Sequence, residues 1–107
     1  MSKPRELWWG YVKNVIYRYP QYKKEYCLNH QLTKIDQKRM KAVEKTLAEI
    51  KKVEYGNLRY EFIEKVYFAK THWIEDFSMI SNFDYPTLLA WNKEFVYQVA
   101  FYLGLMD

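Results

Sequence analysis

The feature that most constrains the fold is a helix stop followed at once by a helix start, in the last third of the chain. Ser81 to Asp84 are mostly small or polar residues that favour a turn, and they interrupt a segment of helical apolar spacing that begins near Thr71. Asp84 is a good N-cap because its carboxylate can accept hydrogen bonds from the free amides of the next turn. Pro86 fits beside it because first-turn amides have no helical partner. A helix is therefore predicted from about Tyr85.

An apolar stripe continues from this start towards the C-terminal end. Its residues recur every three or four positions, which is typical of a helix that faces a core: Leu88, Trp91, Phe95, Val99 and Leu103. Gly104 follows where a helix stop is expected. Since the turn before Tyr85 is too short for an antiparallel pair, the two helices are expected to cross steeply, as in a helix-turn-helix.

Three more helices are predicted upstream. The first spans about Arg5 to Tyr19, where apolar pairs recur every four positions, and Pro20 is expected to stop it. Residues 21–32 have no clear period, so a loop and a short helical turn both remain open, and the segment is treated as a connection. The second helix spans about Thr33 to Glu54, with a capping box at its start, and the third runs from the cap Asn57 to near Lys70. The predicted fold is all-α with about five helices, the last three forming a helix-turn-helix unit.

Composition favours a single domain over residues 1–107. Half of the residues are hydrophobic and a fifth are aromatic, so a chain of this length can bury a core. Cys27 is the single cysteine, which fits a reducing cytosol, and it is predicted to be buried or half-buried. Because no apolar run approaches about 18 residues and no signal peptide is present, the predicted location is the cytoplasm, without membrane contact.

Charge divides the chain into a basic and an acidic part. Residues 1–56 hold thirteen Lys and Arg against six acids, a net +7, whereas the helix-turn-helix part, residues 57–107, holds four against seven, a net −3. Helical spacing gathers five lysines opposite the apolar side of the second helix: Lys34, Lys38, Lys41, Lys45 and Lys52. Such a stripe either binds phosphate or is only a solvated face. Lys38, Lys41 and Lys45 are the candidate phosphate contacts.

The order of residue types in the C-terminal segment resembles that of the RinA/ArpU-type phage transcriptional regulators, which are themselves similar to region 4 of sigma factors. After an Asn in the turn and a cap come Thr87, Trp91, Phe95, Val99-Ala100 and Leu103-Gly104-Leu105. The N-terminal stretch LWWGYVKNVIYRYP is also similar to the start of ArpU-like members. The resemblance implies a transcriptional regulator that activates late phage or prophage genes, with its last helix in the major groove of double-stranded DNA.

On this interpretation the start of the last helix contacts DNA. Asn92 and Thr87 can hydrogen-bond base edges, and Leu89 or Ala90 can meet thymine methyl groups. No arginine is available there for guanine, so base recognition would favour A·T positions. The candidate DNA contacts are Tyr85, Thr87, Leu89, Asn92, Lys93 and, before the motif, Lys70.

Other interpretations of the same residues remain open. The outward face of the last helix also offers Tyr85, Leu89, Val96 and Tyr97, which could contact polymerase or a second copy of the chain in a purely protein-binding module. A phage DNA-packaging component is a third possibility. Trp9 points away from the stripe of the first helix, so it either stacks on a base or partner, or packs on a neighbouring helix.

No catalytic residue, cofactor motif or metal site is predicted. The chain has no Gly-rich phosphate loop and no nucleophile elbow. His30 and His72 each lack a second ligand at metal-binding spacing. We therefore expect a non-enzymatic protein without a cofactor or a small-molecule substrate.

Overall fold

The computed structural model describes residues 6–28 and 31–106, and all regular structure within them is helical. The five helices are α1 (Trp9–Cys27), α2 (Lys34–Ile50), α3 (Gly56–Ile63), α4 (Ile74–Ser81) and α5 (Tyr85–Tyr102), and a π-helical segment, Glu64–Phe68, continues α3. The predicted all-α class with about five helices is confirmed. In this described part, none of the helices has the length and apolar character that crossing a bilayer requires.

α5 is the central helix of the core, and α1, α2 and α4 all pack against it. Its buried arc is wide because two adjacent stripes are buried, and the sequence pattern identified only the first of them. The first stripe contains Leu88, Trp91, Phe95 and Val99, and the second contains Asn92, Val96 and Ala100. A helix with so wide an apolar face must be covered on more than one side. The exposed residues of α5 lie mostly near its start, and Phe101 is exposed near its end.

α1 was predicted to stop at Pro20, but it continues to Cys27. A proline inside a helix lacks one amide hydrogen bond and costs roughly 3 kcal/mol, so tertiary contacts must hold the second half of α1 in place. Tyr22 is buried there, and Tyr19 and Lys23 both donate to the Glu44 carboxylate of α2, at 3.1 and 2.5 Å. Burial and that carboxylate raise the pKa of Tyr19 above its usual range. Residues 21–27 of the predicted connection are therefore helical, whereas residues 28 and 31–32 lie outside a helix, and residues 29 and 30 lie outside the described part of the chain.

α2 begins at its predicted cap but ends earlier than predicted. The Asp36 amide donates to Thr33 Oγ1 at 3.0 Å, while the Asp36 carboxylate accepts from Arg39 at 2.8 Å. α2 ends at Ile50, and α3 begins at Gly56 instead of after a cap at Asn57. A Cβ on Gly56 would lie 2.6 Å from the carbonyl oxygen of Ile50, so only glycine lets the two helices approach so closely.

The turn between α4 and α5 has the predicted chemistry. α4 ends at Ser81, and its C-cap Asn82 adopts the left-handed conformation with φ of 64°. The Ser78 hydroxyl donates to the Phe83 carbonyl at 2.8 Å. Asp84 caps α5 by accepting from the Thr87 amide at 3.0 Å. Hydrogen bonds from the Thr87 hydroxyl and amide hold the pKa of Asp84 below its usual value. The helix, turn and helix are present in the predicted order, and their use as a DNA-binding unit stays a prediction.

We expect the buried face of α5 to dominate stability. Phe95→Ala should lower the free energy of unfolding by about 3 to 5 kcal/mol, because it leaves a cavity at a buried position. Phe101→Ala, in the same helix but exposed, should change it by no more than about 0.5 kcal/mol. Urea unfolding of the two variants measures both values, and similar losses would show that the face has been assigned wrongly.

Candidate nucleic-acid interface

The predicted DNA-contacting edge of α5 is only partly accessible. Tyr85, Leu89 and Lys93 are exposed, whereas Thr87 is half-buried and its amide is engaged by the Asp84 cap. The Lys93 ammonium lies 5.5 Å from the centre of the Tyr97 ring. The edge therefore offers one cation beside largely apolar side chains, which is a weak phosphate-binding surface.

Asn92 does not face outward, contrary to the prediction. Its side chain is only 6% exposed, and its amide oxygen accepts a hydrogen bond from the Tyr67 hydroxyl of the π-helical segment. A buried amide is stable when it is hydrogen-bonded in this way. Because Asn92 lies on the second buried stripe of α5, it cannot reach a base edge in this structure.

The predictions that Val96 and Tyr97 face outward and that Cys27 is at least half-buried were also wrong. Val96 is fully buried, and Tyr97 is half-buried with its ring centre 5.2 Å from that of Trp8. Trp9 is only 9% exposed and packs against the same tyrosine, so it is part of the core. Trp8 and Trp9 therefore cover Tyr97, whereas Tyr85 and Leu89 of the same predicted face stay exposed. Cys27, expected to be at least half-buried, is exposed at the end of α1.

The lysines of α2 line one open groove. Its volume is about 390 Å³, and its walls are Lys34, Gln37, Lys38, Lys41, Ala42, Lys45 and Tyr102. We call this surface the lysine groove. All four lysines are exposed, and none forms an ion pair with an acid in the described ranges. Lys52, the fifth member of the predicted stripe, follows the end of α2 and does not line the groove.

Tyr102 of α5 closes one side of the lysine groove. Its hydroxyl donates to the Glu49 carboxylate, which raises the pKa of Tyr102, and the Lys45 ammonium lies 4.5 Å from the centre of its ring. Glu49 lies close enough in sequence to offset part of the charge of the lysine stripe, and its carboxylate accepts this hydrogen bond from Tyr102. From Lys34 to Lys45 the helix rises by eleven steps of 1.5 Å, or about 16 Å. Such a row can contact several successive phosphates.

The structure groups only some of the predicted site residues. Lys38, Lys41 and Lys45 share the lysine groove, whereas Lys70 lines a different cavity. The predicted DNA contacts at the start of α5 line neither space. Helical spacing was enough to find the lysines. It could not find Tyr102, because that residue comes to the groove through the packing of α5 on α2.

Comparisons with protein families, with curated proteins and with solved structures give no match for this chain. The resemblance to phage regulators therefore stays an expectation from the sequence. Of the two histidines, His30 lies outside the described residues, and His72 lies before α4. Within the described part, no three side chains of metal-binding type converge.

The burial of Asn92 gives a direct test. Asn92→Ala removes the acceptor of the buried Tyr67 hydroxyl, so it should lower the free energy of unfolding by about 1 to 3 kcal/mol. Its neighbour Lys93 is exposed, and Lys93→Ala should change the value by no more than about 0.5 kcal/mol. Denaturant titration compares the two. A stability unchanged by Asn92→Ala would mean that this side chain faces solvent after all.

Proposed function

We propose that the protein is a non-enzymatic, cytoplasmic regulator of transcription that binds double-stranded DNA, with its main phosphate contacts in the lysine groove. The sequence resemblance to phage regulators motivates the regulatory role. The contact surface is suggested by a different feature, the row of exposed lysines on α2. The DNA-binding surface is thus assigned to the basic half of the chain.

The single observation that carries the proposal is the convergence of four lysines, without ion-pair partners in the described part of the chain, on one groove. Most sequence-independent affinity for DNA comes from cations that neutralise phosphates and release counterions. Lysines already paired with carboxylates contribute little to such binding. Elsewhere in α2, Arg39 is paired with Asp36 at 2.8 Å, so the groove collects the charges that remain available.

α5 would then have a secondary role. With Asn92 buried, the base-edge contacts left to the start of α5 are Tyr85, Thr87 and Leu89, none of which carries a charge. Apolar contacts of this kind favour thymine methyl groups. The proposal therefore expects substantial non-specific affinity and a modest preference for A·T-rich sites.

A protein-binding module is the second candidate, and one observation favours it. Met79 is 85% exposed on α4, with Ile80 exposed beside it and the acids Glu75 and Asp76 exposed in the first turn. Large apolar side chains grouped on a short helix are typical of contact surfaces. An acidic and apolar surface repels phosphate, so it fits a protein partner better than DNA.

The proposal predicts that binding depends on the lysine groove and not on net charge. A variant with Lys38, Lys41 and Lys45 all changed to Gln should lower the slope of log affinity against log salt by about 3, because each phosphate contact contributes about one unit. Fluorescence anisotropy with a 20-base-pair duplex, at several salt concentrations, measures the slope.

The matched control changes three exposed lysines outside the groove, Lys24, Lys51 and Lys52, to Gln. Both variants lose the same charge, so a difference between them reports where the phosphate contacts lie. Only the groove variant should lose most of its affinity. Equal losses would reduce the groove to a solvated face. If the wild type does not bind duplex even at low salt, the protein-binding module replaces the proposal, and Met79→Asp should then abolish self-association or partner capture measured by light scattering.

A further inference from the structure

A second cavity lies between α1, the π-helical segment and the segment that precedes α4. Its volume is about 300 Å³, and it is lined by Tyr17, Val66, Lys70, Thr71, His72 and Trp73. This volume is at the lower end of the range of small-ligand sites, roughly 300 to 1,000 Å³. No carboxylate lines it. We call it the Trp73 cavity.

Trp73 is the most exposed tryptophan of the described residues, with 77% of its surface accessible. Its ring has no aromatic or cationic partner in this part of the chain, although such contacts are frequent elsewhere in the molecule. Leaving an indole in water forgoes the favourable burial that a tryptophan normally gains. A planar ligand surface would restore that burial.

The backbone that presents Trp73 is fixed at both ends. Before it, Lys70 adopts the left-handed conformation with φ of 56°, and the Thr71 amide donates to the Lys65 carbonyl at 3.0 Å. After it, the Trp73 amide donates to the Asp76 carboxylate at 3.0 Å, which caps α4. The exposed ring is therefore carried by an ordered segment.

The other walls of the cavity supply a fixed ring and a positive charge. The Tyr17 ring packs against Tyr67, with their centres 4.9 Å apart, so it is held in place. The exposed Lys70 ammonium lies 5.4 Å from the centre of the Tyr17 ring and forms no ion pair in the described ranges. Two aromatic rings and one available cation thus border the same space.

We propose that the Trp73 cavity binds a nucleotide, whose base stacks on Trp73 and whose phosphate contacts Lys70. Stacking on an aromatic side chain and pairing with a nearby cation are the two interactions that proteins use to hold unpaired nucleotides. An apolar peptide side chain would explain the exposed ring but would leave Lys70 without a role. The ligand is either a free mononucleotide or an unpaired nucleotide within a single strand.

This site goes beyond the proposed function, since bases in a duplex are already stacked and cannot enter the cavity. The two can also fail separately. The lysine groove is tested with a duplex and with changes in α2, whereas the Trp73 cavity is tested with unpaired nucleotides and with changes at Trp73 and Lys70.

The experiment titrates the full chain with adenosine monophosphate and, separately, with single-stranded (dA)8, and follows tryptophan fluorescence and calorimetric heat. Trp73→Leu should weaken binding about tenfold or more, whereas Trp73→Phe, which keeps a stacking ring, should retain most of it. Lys70→Gln should weaken binding and reduce its salt dependence. The matched control is Met79→Leu, which alters an exposed apolar residue of α4 outside the cavity and should change nothing.

Because Trp73 and Lys70 are exposed, their variants should keep the wild-type circular dichroism spectrum and melting temperature. If Trp73→Leu loses (dA)8 binding and the wild type does not bind the mononucleotide, the site is assigned to single strands. If Trp73→Leu also loses binding of the mononucleotide, the site is assigned to free nucleotides. The inference is overturned if neither probe binds the wild type. It is equally overturned if Trp73→Leu binds as well as the wild type while the α2 lysine variant does not.

Discussion

The structure depends above all on the aromatic packing around Trp91. The ring centres of Phe83, Phe62 and Tyr55 lie 4.8, 6.2 and 6.4 Å from that of Trp91, and the Arg59 guanidinium lies 5.1 Å from the centre of the Trp91 ring. These contacts join the turn before α5, α3 and the turn before α3 to one buried side chain. Edge-to-face and tilted ring pairs add to the energy of burial. They fix the rotation of α5, and that rotation decides which of its residues face water.

The consequence for function is that α5 mainly forms the core, whereas α2 presents the exposed lysines. With this rotation α5 is mainly a core helix, because Asn92 is buried against the π-helical segment, Val96 is fully buried and Trp9 of α1 packs on Tyr97. α2 is buried on one side only, so its lysines face solvent together, with Tyr102 of α5 at the edge of their groove. The same packing therefore leaves α5 with one exposed cation, Lys93, and places Tyr102 beside the α2 lysines on which the proposed function depends.

The sequence predicted the parts of this account that rest on local chemistry. The cap at Asp84, the stripe through Leu88 and Phe95, and the lysine spacing in α2 are local patterns, and the structure contains each of them. The wrong predictions concern places where residues distant in sequence are in contact. Pro20 is tolerated because Glu44 holds the following turn, the stop of α2 reflects a close approach at Gly56, and the second buried stripe of α5 was hidden because it includes the polar Asn92.

The most direct test of the central claim is to map which surface of the full chain meets DNA. Backbone amide shifts of isotope-labelled protein, recorded by nuclear magnetic resonance while a short A·T-rich duplex is added at low salt, report the contact residue by residue. The account predicts the largest changes in α2 between Lys34 and Lys45 and at Tyr102, with smaller changes at Tyr85 and Leu89. Changes concentrated at the start of α5, with α2 unaffected, would contradict it.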